Sequence, residues 1–219
     1  MSKKSKMLSS PKKSSPKQDC NSIGKWWNGI EIAPDVETLP SKTQQIYWRS
    51  FAEKIGIRLI GSGTYGTTYI ACKGTDCNYI IKIQENDEMF HREVNALVDL
   101  NGWEYTPIIY DAWTCGTLGF IVMEKLDDVG QCIRNFKKMN EIEQEINRIV
   151  DILHEKGWSH GDLHLGNLMC KNGHFAFIDF GQAQNFSEVD SIYIEDLIYM
   201  DKMFDVLFLQ IKTRYKFIK

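Results

Sequence analysis

The sequence predicts an α+β fold in two lobes, β-rich first and helical afterwards. Between residues 57 and 124, short runs of β-branched and aromatic residues read as successive strands, with one helical pattern inserted near 87–100. From Asn140 the period changes, and Ile142, Ile146, Ile149, Val150 and Leu153 fall on one face of an amphipathic helix. At 219 residues and 43% hydrophobic content, the chain can fill the core of one domain of two small lobes.

Composition narrows the classes. No apolar run approaches about 18 residues, so no membrane contact is expected. The lysine- and serine-rich N-terminus has no apolar segment behind it and does not read as a secretory signal. Six cysteines (20, 72, 77, 115, 132 and 170) are scattered, without the paired CxxC units of a structural zinc site. Cys72 and Cys77 can face each other across a hairpin, but the expectation is reduced thiols in an intracellular protein, cytoplasmic or nuclear. Residues 1–20 hold six lysines against Asp19 alone, which leaves the body 20 basic and 28 acidic residues, about −8.

In order, residues 1–20 read as a disordered basic tail. Ser10-Pro11-Lys12-Lys13 and Ser15-Pro16-Lys17 look like elements for weak nucleic-acid contact or proline-directed phosphorylation, with a solvated linker the plainer reading. Residues 21–56 form an N-terminal arm, apolar through Trp26-Trp27, and then a helix over about 42–54. Ser41 and Gln44 match a capping box there, and Ile46, Tyr47, Phe51 and Ile55 make the stripe expected to pack. Residues 57–219 remain for the main domain, divided near 125.

Three motifs carry chemistry. Gly61-Ser62-Gly63-Thr64-Tyr65-Gly66 follows Ile57-Arg58-Leu59-Ile60, and Thr67-Thr68-Tyr69-Ile70 after it favours strand over helix. That makes a glycine-rich hairpin rather than the strand-to-helix turn of a dinucleotide fold. Lys82 stands among isoleucines in Asn78–Ile83, where it must find a partner or snorkel to water. Eleven residues on, Glu93 lies in the 87–100 helix, with Phe90, Val94 and Leu97 on the packing face, Asp87 as its cap and Gly102 at its end. The third motif is His160-Gly161-Asp162-Leu163-His164-Leu165-Gly166-Asn167, and Asp179-Phe180-Gly181 ends the apolar run Phe175–Ile178 twelve residues later. A carboxylate, a carboxamide and a second carboxylate at these intervals are what phosphoryl transfer requires.

Over about residues 57–205 these motifs, in this order, resemble the protein-kinase superfamily. The resemblance implies a two-lobed protein-kinase-like fold with a β-rich N-lobe (57–125), a reduced helical C-lobe (126–219), and ATP with Mg²⁺ in the cleft. It implies that Asp162 is the base or hydroxyl-orienting group, and that Lys82, oriented by Glu93, binds phosphate. Asn167 and Asp179 become Mg²⁺ ligands. Ile60, Gly61, Ser62, Gly63, Thr64, Tyr65, Gly66 and Thr68 cover the nucleotide; Met123 backs the adenine, Glu124 to Leu126 edge it, and Met169 forms its floor.

Departures refine the resemblance. Gly161 replaces an arginine that receives an activation-loop phosphate, His164 replaces a lysine, Ile80 stands where an alanine is usual, and Thr68 where a valine is. The His-Gly-Asp-Leu-His-x-Gly-Asn pattern is similar to aminoglycoside and choline kinases, to small atypical kinases of the KEOPS and RIO type, and to compact kinases of large DNA viruses. No A-P-E follows Gly181; the residues from Ile192 to Leu207 read as one long buried helix, with Glu195-Asp196 as its acidic member. The expected acceptor is a protein serine or threonine, with a regulatory protein partner on the reduced C-lobe. A small-molecule kinase and an ATP-binding pseudokinase are the alternatives. A 2-His-1-carboxylate iron site from His160, Asp162 and His174 is a remote one.

Overall fold

A computed structural model describes residues 16–27, 32–33, 35–63 and 66–216. The expectations for the tail fall largely on residues 1–15, outside the described residues, and structure begins before residue 20. β1 (Lys17–Gln18) pairs in parallel with β5 (Ile109–Cys115). A 3₁₀ turn at Cys20–Lys25 follows, capped by the Asp19 carboxylate, and leads to Trp26 and Trp27. The helix of the arm, α1, spans Ser41–Lys54.

The first lobe is a six-stranded sheet in the order β1-β5-β6-β4-β3-β2, with β2 at Leu59–Gly63, β3 at Gly66–Lys73, β4 at Asp76–Glu85 and β6 at Leu118–Glu124. β2 and β3 pair antiparallel across the glycine motif, as the β-branched residues after Gly66 predict. α2 (Glu88–Asp99) crosses from β4, and the Asp87 carboxylate accepts from Phe90 N at its start. Phe90, Val94 and Leu97 are buried, as its period predicts.

Both faces of the sheet are covered at β6, which explains why that strand is apolar at consecutive positions rather than alternate ones. Ile121 and Met123 join a core with α2 and the second lobe. Phe120 and Val122 point the other way and pack with Ile81, Ile83, Trp27 and Trp48. The arm and α1 therefore complete the N-lobe core. Removing the Trp48 ring is expected to cost about 3–5 kcal/mol.

The packing of α1 bears out part of the expected stripe, since Tyr47, Phe51 and Ile55 lie against the core, and corrects the rest. Gln44, Trp48 and Ala52 are its buried positions, and Ile46 is 66% exposed. Ser41 and Gln44 do not form a capping box: Pro40 occupies the cap position, and Ser41 Oγ donates to Glu85. The Gln44 side chain accepts from Thr117 N and Oγ1, at 3.1 and 2.8 Å, and donates to Val36 O. A polar side chain that matches a helix-start signal is here a tertiary anchor.

The second lobe begins with β7 (Asp127–Asp128) and α3 (Gly130–Ile133), then α4 (Met139–Glu155). The buried residues of α4 are Ile142, Ile146, Ile149, Val150 and Leu153, the predicted face. β8 (Trp158–Ser159), β9 (Leu168–Lys171), β10 (His174–Phe177) and β11 (Gln184–Asn185) frame the loops between them. In place of one long buried helix stand α5 (Ser191–Asp201) and α6 (Asp205–Tyr215), with Ile192, Tyr199, Met200 and Met203 exposed. Apolar composition without a one-sided period cannot distinguish a buried helix from an exposed one.

The cysteines require a second correction. All six are paired, Cys20–Cys115, Cys72–Cys77 and Cys132–Cys170, and reduced thiols no longer argue for an intracellular protein. The hairpin pair is local, but the other two join segments 95 and 38 residues apart, for which spacing gives no signal. Among the described residues no helix is long and apolar enough to cross a membrane.

Candidate active site

The site lies where β4, α2 and the loops around β8–β10 converge. Lys82 does not snorkel. Its Nζ donates to Glu93 Oε2 at 2.7 Å and to Asp179 Oδ1 at 2.8 Å, so three segments meet on one ammonium. Burial disfavours charge on Lys82, but Glu93 and Asp179 outweigh it and raise its pKa. Burial pushes the Glu93 carboxyl up against the pull of Lys82.

Gln84 belongs to this cluster and the motifs do not point to it. It follows Lys82 by two residues on β4 and therefore faces the same side. Its Nε2 donates to Glu93 Oε2 at 3.1 Å, while Glu93 Oε1 has no hydrogen-bond partner among the described residues. Lys82 and Gln84 together hold one oxygen of a carboxylate that is 1% exposed.

Below them sits the second cluster. Asn167 Nδ2 donates to Asp162 O at 3.0 Å and to Asp162 Oδ2 at 3.3 Å. His164 Nε2 lies 3.7 Å from the same carboxylate. Asp179 occupies the left-handed region at φ 64, which turns the chain out of β10 into Phe180-Gly181. Its carboxylate and the Asn167 amide oxygen are hard oxygen donors, the kind Mg²⁺ takes in small number when phosphates and water supply the rest. Among the described residues no three His, Cys, Asp or Glu side chains form a metal cage of their own.

The loop carrying Asp162 is held from within. His160 is fully buried, and burial depresses its pKa. Its Nδ1 accepts from Asp162 N at 3.3 Å and its Nε2 lies 3.0 Å from Ile178 O, which assigns the neutral ring with hydrogen on Nε2. With both nitrogens engaged by backbone, His160 is no iron ligand, which removes that reading.

Asp201 holds the loop from below. It is 2% exposed and accepts from His160 N at 2.7 Å and Gly161 N at 2.8 Å, with His154 Nε2 at 3.0 Å. The acidic residues singled out in this helix from the sequence, Glu195 and Asp196, are exposed instead. Gly161 has a physical cause: its φ is +77, and a Cβ there would stand 2.6 Å from Gln182 O. β8 pairs with β11, Ser159 opposite Gln184, which explains the close approach.

The residues expected to cover a nucleotide are placed as follows. Gly61 stands opposite Thr68, Ser62 opposite Thr67 and Gly63 opposite Gly66, with Ile60 exposed beside them. Thr64 and Tyr65 lie outside the described residues. A Cβ on Gly66 would be 2.5 Å from Ile83 O, so only glycine lets β3 lie this close to β4. A cavity of about 510 Å³ opens here, reached by Ser62, Gly63, Gly66, Gln84 and Asp179. The expected adenine-end residues lie apart from it. Met123 is opposite Ile80, Leu126 follows β6 half-buried, and Met169 is on β9 opposite Asp128. The Glu124 carboxylate accepts from Lys171 Nζ at 2.8 Å and Ile108 N at 3.1 Å, which leaves its backbone as the part that can edge a ligand.

Comparison with known proteins points the same way. The model of the protein kinase domain matches residues 55–201. A putative serine/threonine-protein kinase of Acanthamoeba polyphaga mimivirus is 25% identical over 166 residues, covering 68% of this chain and 30% of the relative. A probable serine/threonine-protein kinase of Archaeoglobus fulgidus, a BUD32 homolog, is 28% identical over 98 residues, 45% of this chain and 47% of that one. A probable bifunctional tRNA threonylcarbamoyladenosine biosynthesis protein of Methanothermobacter thermautotrophicus is 30% identical over 94 residues, 43% of this chain and 17% of the relative. The chain thus spans less than half the length of each of these relatives.

Proposed function

Because the chain belongs to the protein kinase family, we propose that it transfers the γ-phosphate of ATP to a serine or threonine hydroxyl of a protein. The observation that carries this reading is the Lys82 ammonium held between Glu93 and Asp179. A chain that kept the fold for binding alone has no need of that arrangement beside an Asp162–Asn167 pair.

In this reading the polypeptide supplies position and charge. Lys82, steadied by Glu93, takes the α- and β-phosphates, and the glycine hairpin brings backbone N–H groups over them. Asp162 accepts or orients the proton of the attacking hydroxyl; its carboxylate is aimed by Asn167, and its loop by His160 and Asp201. Asn167 and Asp179 would hold Mg²⁺, which would supply positive charge to offset that of the phosphates. The adenine would lie between Met123, the backbone of Glu124–Leu126 and Met169. The division into an arm over 21–56 and lobes over 57–125 and 126–219 is part of the same reading.

Serine and threonine are preferred over small alcohols because two of the relatives carry that name. The partner expected on the second lobe has its support in the exposed apolar side chains of α5 and α6. Nucleic-acid contact would fall to the basic tail. The three disulfides would suit a compartment in which they stay oxidised.

The test is a peptide array run beside aminoglycosides, choline and sugars with ATP and Mg²⁺. Phosphate on serine or threonine peptides supports the reading. Turnover of a small alcohol far above any peptide would replace it with small-molecule phosphorylation, and ATP binding without transfer to any acceptor would make the chain a binding module.

A further inference from the structure

α1 turns an open face to the phosphate end of the cleft. Lys42, Gln45, Ile46 and Arg49, spaced i, i+3, i+4 and i+7, all line the 510 Å³ cavity. The far wall of that cavity is the glycine hairpin, and it reaches Asp179. The opposite face of α1 is fixed by Trp48 and Gln44, so the open face is a rigid platform. All four of its residues are exposed, and Ile46 is an apolar side chain left in solvent between two cations.

We propose that this face docks an acidic stretch of the protein substrate and so selects acceptors flanked by carboxylates or phosphates. The inference rests on the protein-kinase reading above and names the substrate class of the same site.

Charge supports it. α1 carries three cations and one carboxylate on a body that is about −8 overall. Lys42 has no ion pair among the described residues, and Arg49 has one exposed partner, Glu53, a turn away at 3.4 Å. Such a pair exchanges readily for a substrate carboxylate.

The acidic groups lining the cavity are already engaged by this chain. Glu85 accepts from Ser41 Oγ, Asp87 caps α2, and Asp179 binds Lys82. Asp87 and Asp179 lie toward α2 and the Phe180 turn and Glu85 reaches only the first residue of α1, whereas the cations are spread along that helix. Seven helical residues separate Lys42 from Arg49 by about 10 Å, the span of about three residues of extended peptide. Two acidic positions three apart, with an apolar residue between them for Ile46, match the face. A segment held there lies beside the place where the phosphate is transferred.

The test compares two serine peptides on the full chain with ATP and Mg²⁺. One has glutamate at the positions flanking the serine; in the other every glutamate is glutamine. The glutamate peptide is expected to show a kcat/KM higher by on the order of tenfold, with the gap closing as salt rises. Lys42→Glu with Arg49→Glu should abolish the preference by raising the KM of the glutamate peptide. The KM for ATP and turnover of the glutamine peptide should hold, since neither side chain touches the catalytic groups. Lys42→Gln with Arg49→Gln should give a smaller loss and guards against a misfolded variant.

Equal turnover of both peptides by the unmodified chain, or a preference that survives the double substitution, overturns the docking face and leaves the kinase reading standing. A raised KM for ATP in the variant also overturns it, since the cations would then serve the nucleotide. Failure of every peptide and protein to accept phosphate sinks the kinase reading first, and this inference with it.

Discussion

Gln84 donates from Nε2 to Glu93 Oε2 at 3.1 Å, the oxygen that also receives Lys82. Burial already pushes the Glu93 carboxyl up, and the Gln84 bond works against that rise. Glu93 must be ionised to hold the Lys82 ammonium. Gln84→Leu therefore raises the Glu93 pKa further, and the acidic limb of the kcat/KM profile should move to higher pH. A change in rate at every pH, with the limb unmoved, would count against this role.

Asp201 and Gly161 are forty residues apart and are joined at 2.8 Å. Asn in place of Asp201 offers one oxygen where three donors now converge, and a buried unmatched donor costs about 1–3 kcal/mol. Asp201→Asn should lower kcat while leaving the KM for ATP near its original value, because the loop of Asp162 loosens and the Lys82 cluster does not. An unchanged kcat would show that the loop keeps its shape without Asp201.

Gly161 fits the turn only as glycine, and β8 and β11 pair directly beside it. With no arginine there to bind a phosphate, ordering of the segment after Gly181 is expected not to require one. Protein treated with phosphatase should retain its activity. Gly161→Arg should reduce activity by straining the backbone and pushing on Gln182, instead of creating phosphate control.

The three disulfides predict that folded protein alkylated under denaturing, non-reducing conditions shows no free thiol. Reduction should lower Tm, since the bridge Cys20–Cys115 closes a span of 95 residues. A loop of that length contributes on the order of 4–5 kcal/mol in the chain-entropy account. Six alkylated cysteines under those conditions would contradict the pairing.

What the sequence reveals follows the range of the interaction. The buried face of α4, the Asp87 cap and the hairpin of the glycine motif depend on neighbours within a few residues, and each is where its pattern places it. Lys82 and Glu93 are found because their spacing belongs to a known order of motifs. Gln84 has no such order to reveal it, and Asp201 is one carboxylate among several in α5, chosen by a fold that brings residues 160 and 201 together. Ile46 misleads for a related reason. With Tyr47, Trp48 and Phe51 it spreads apolar side chains over more than half of the circumference of α1, so period alone cannot say which part of that arc the sheet takes.

The central claim is that Lys82, Asp162 and Asp179 act together to move a phosphoryl group. The most direct measurement is transfer of labelled γ-phosphate from ATP and Mg²⁺ to serine peptides, by the unmodified chain and by Lys82→Met, Asp162→Asn and Asp179→Asn. The account predicts steady labelling by the first and a loss of about 10²–10⁴-fold in each variant, with melting temperatures that show all four proteins folded. Full labelling by Asp162→Asn would contradict it.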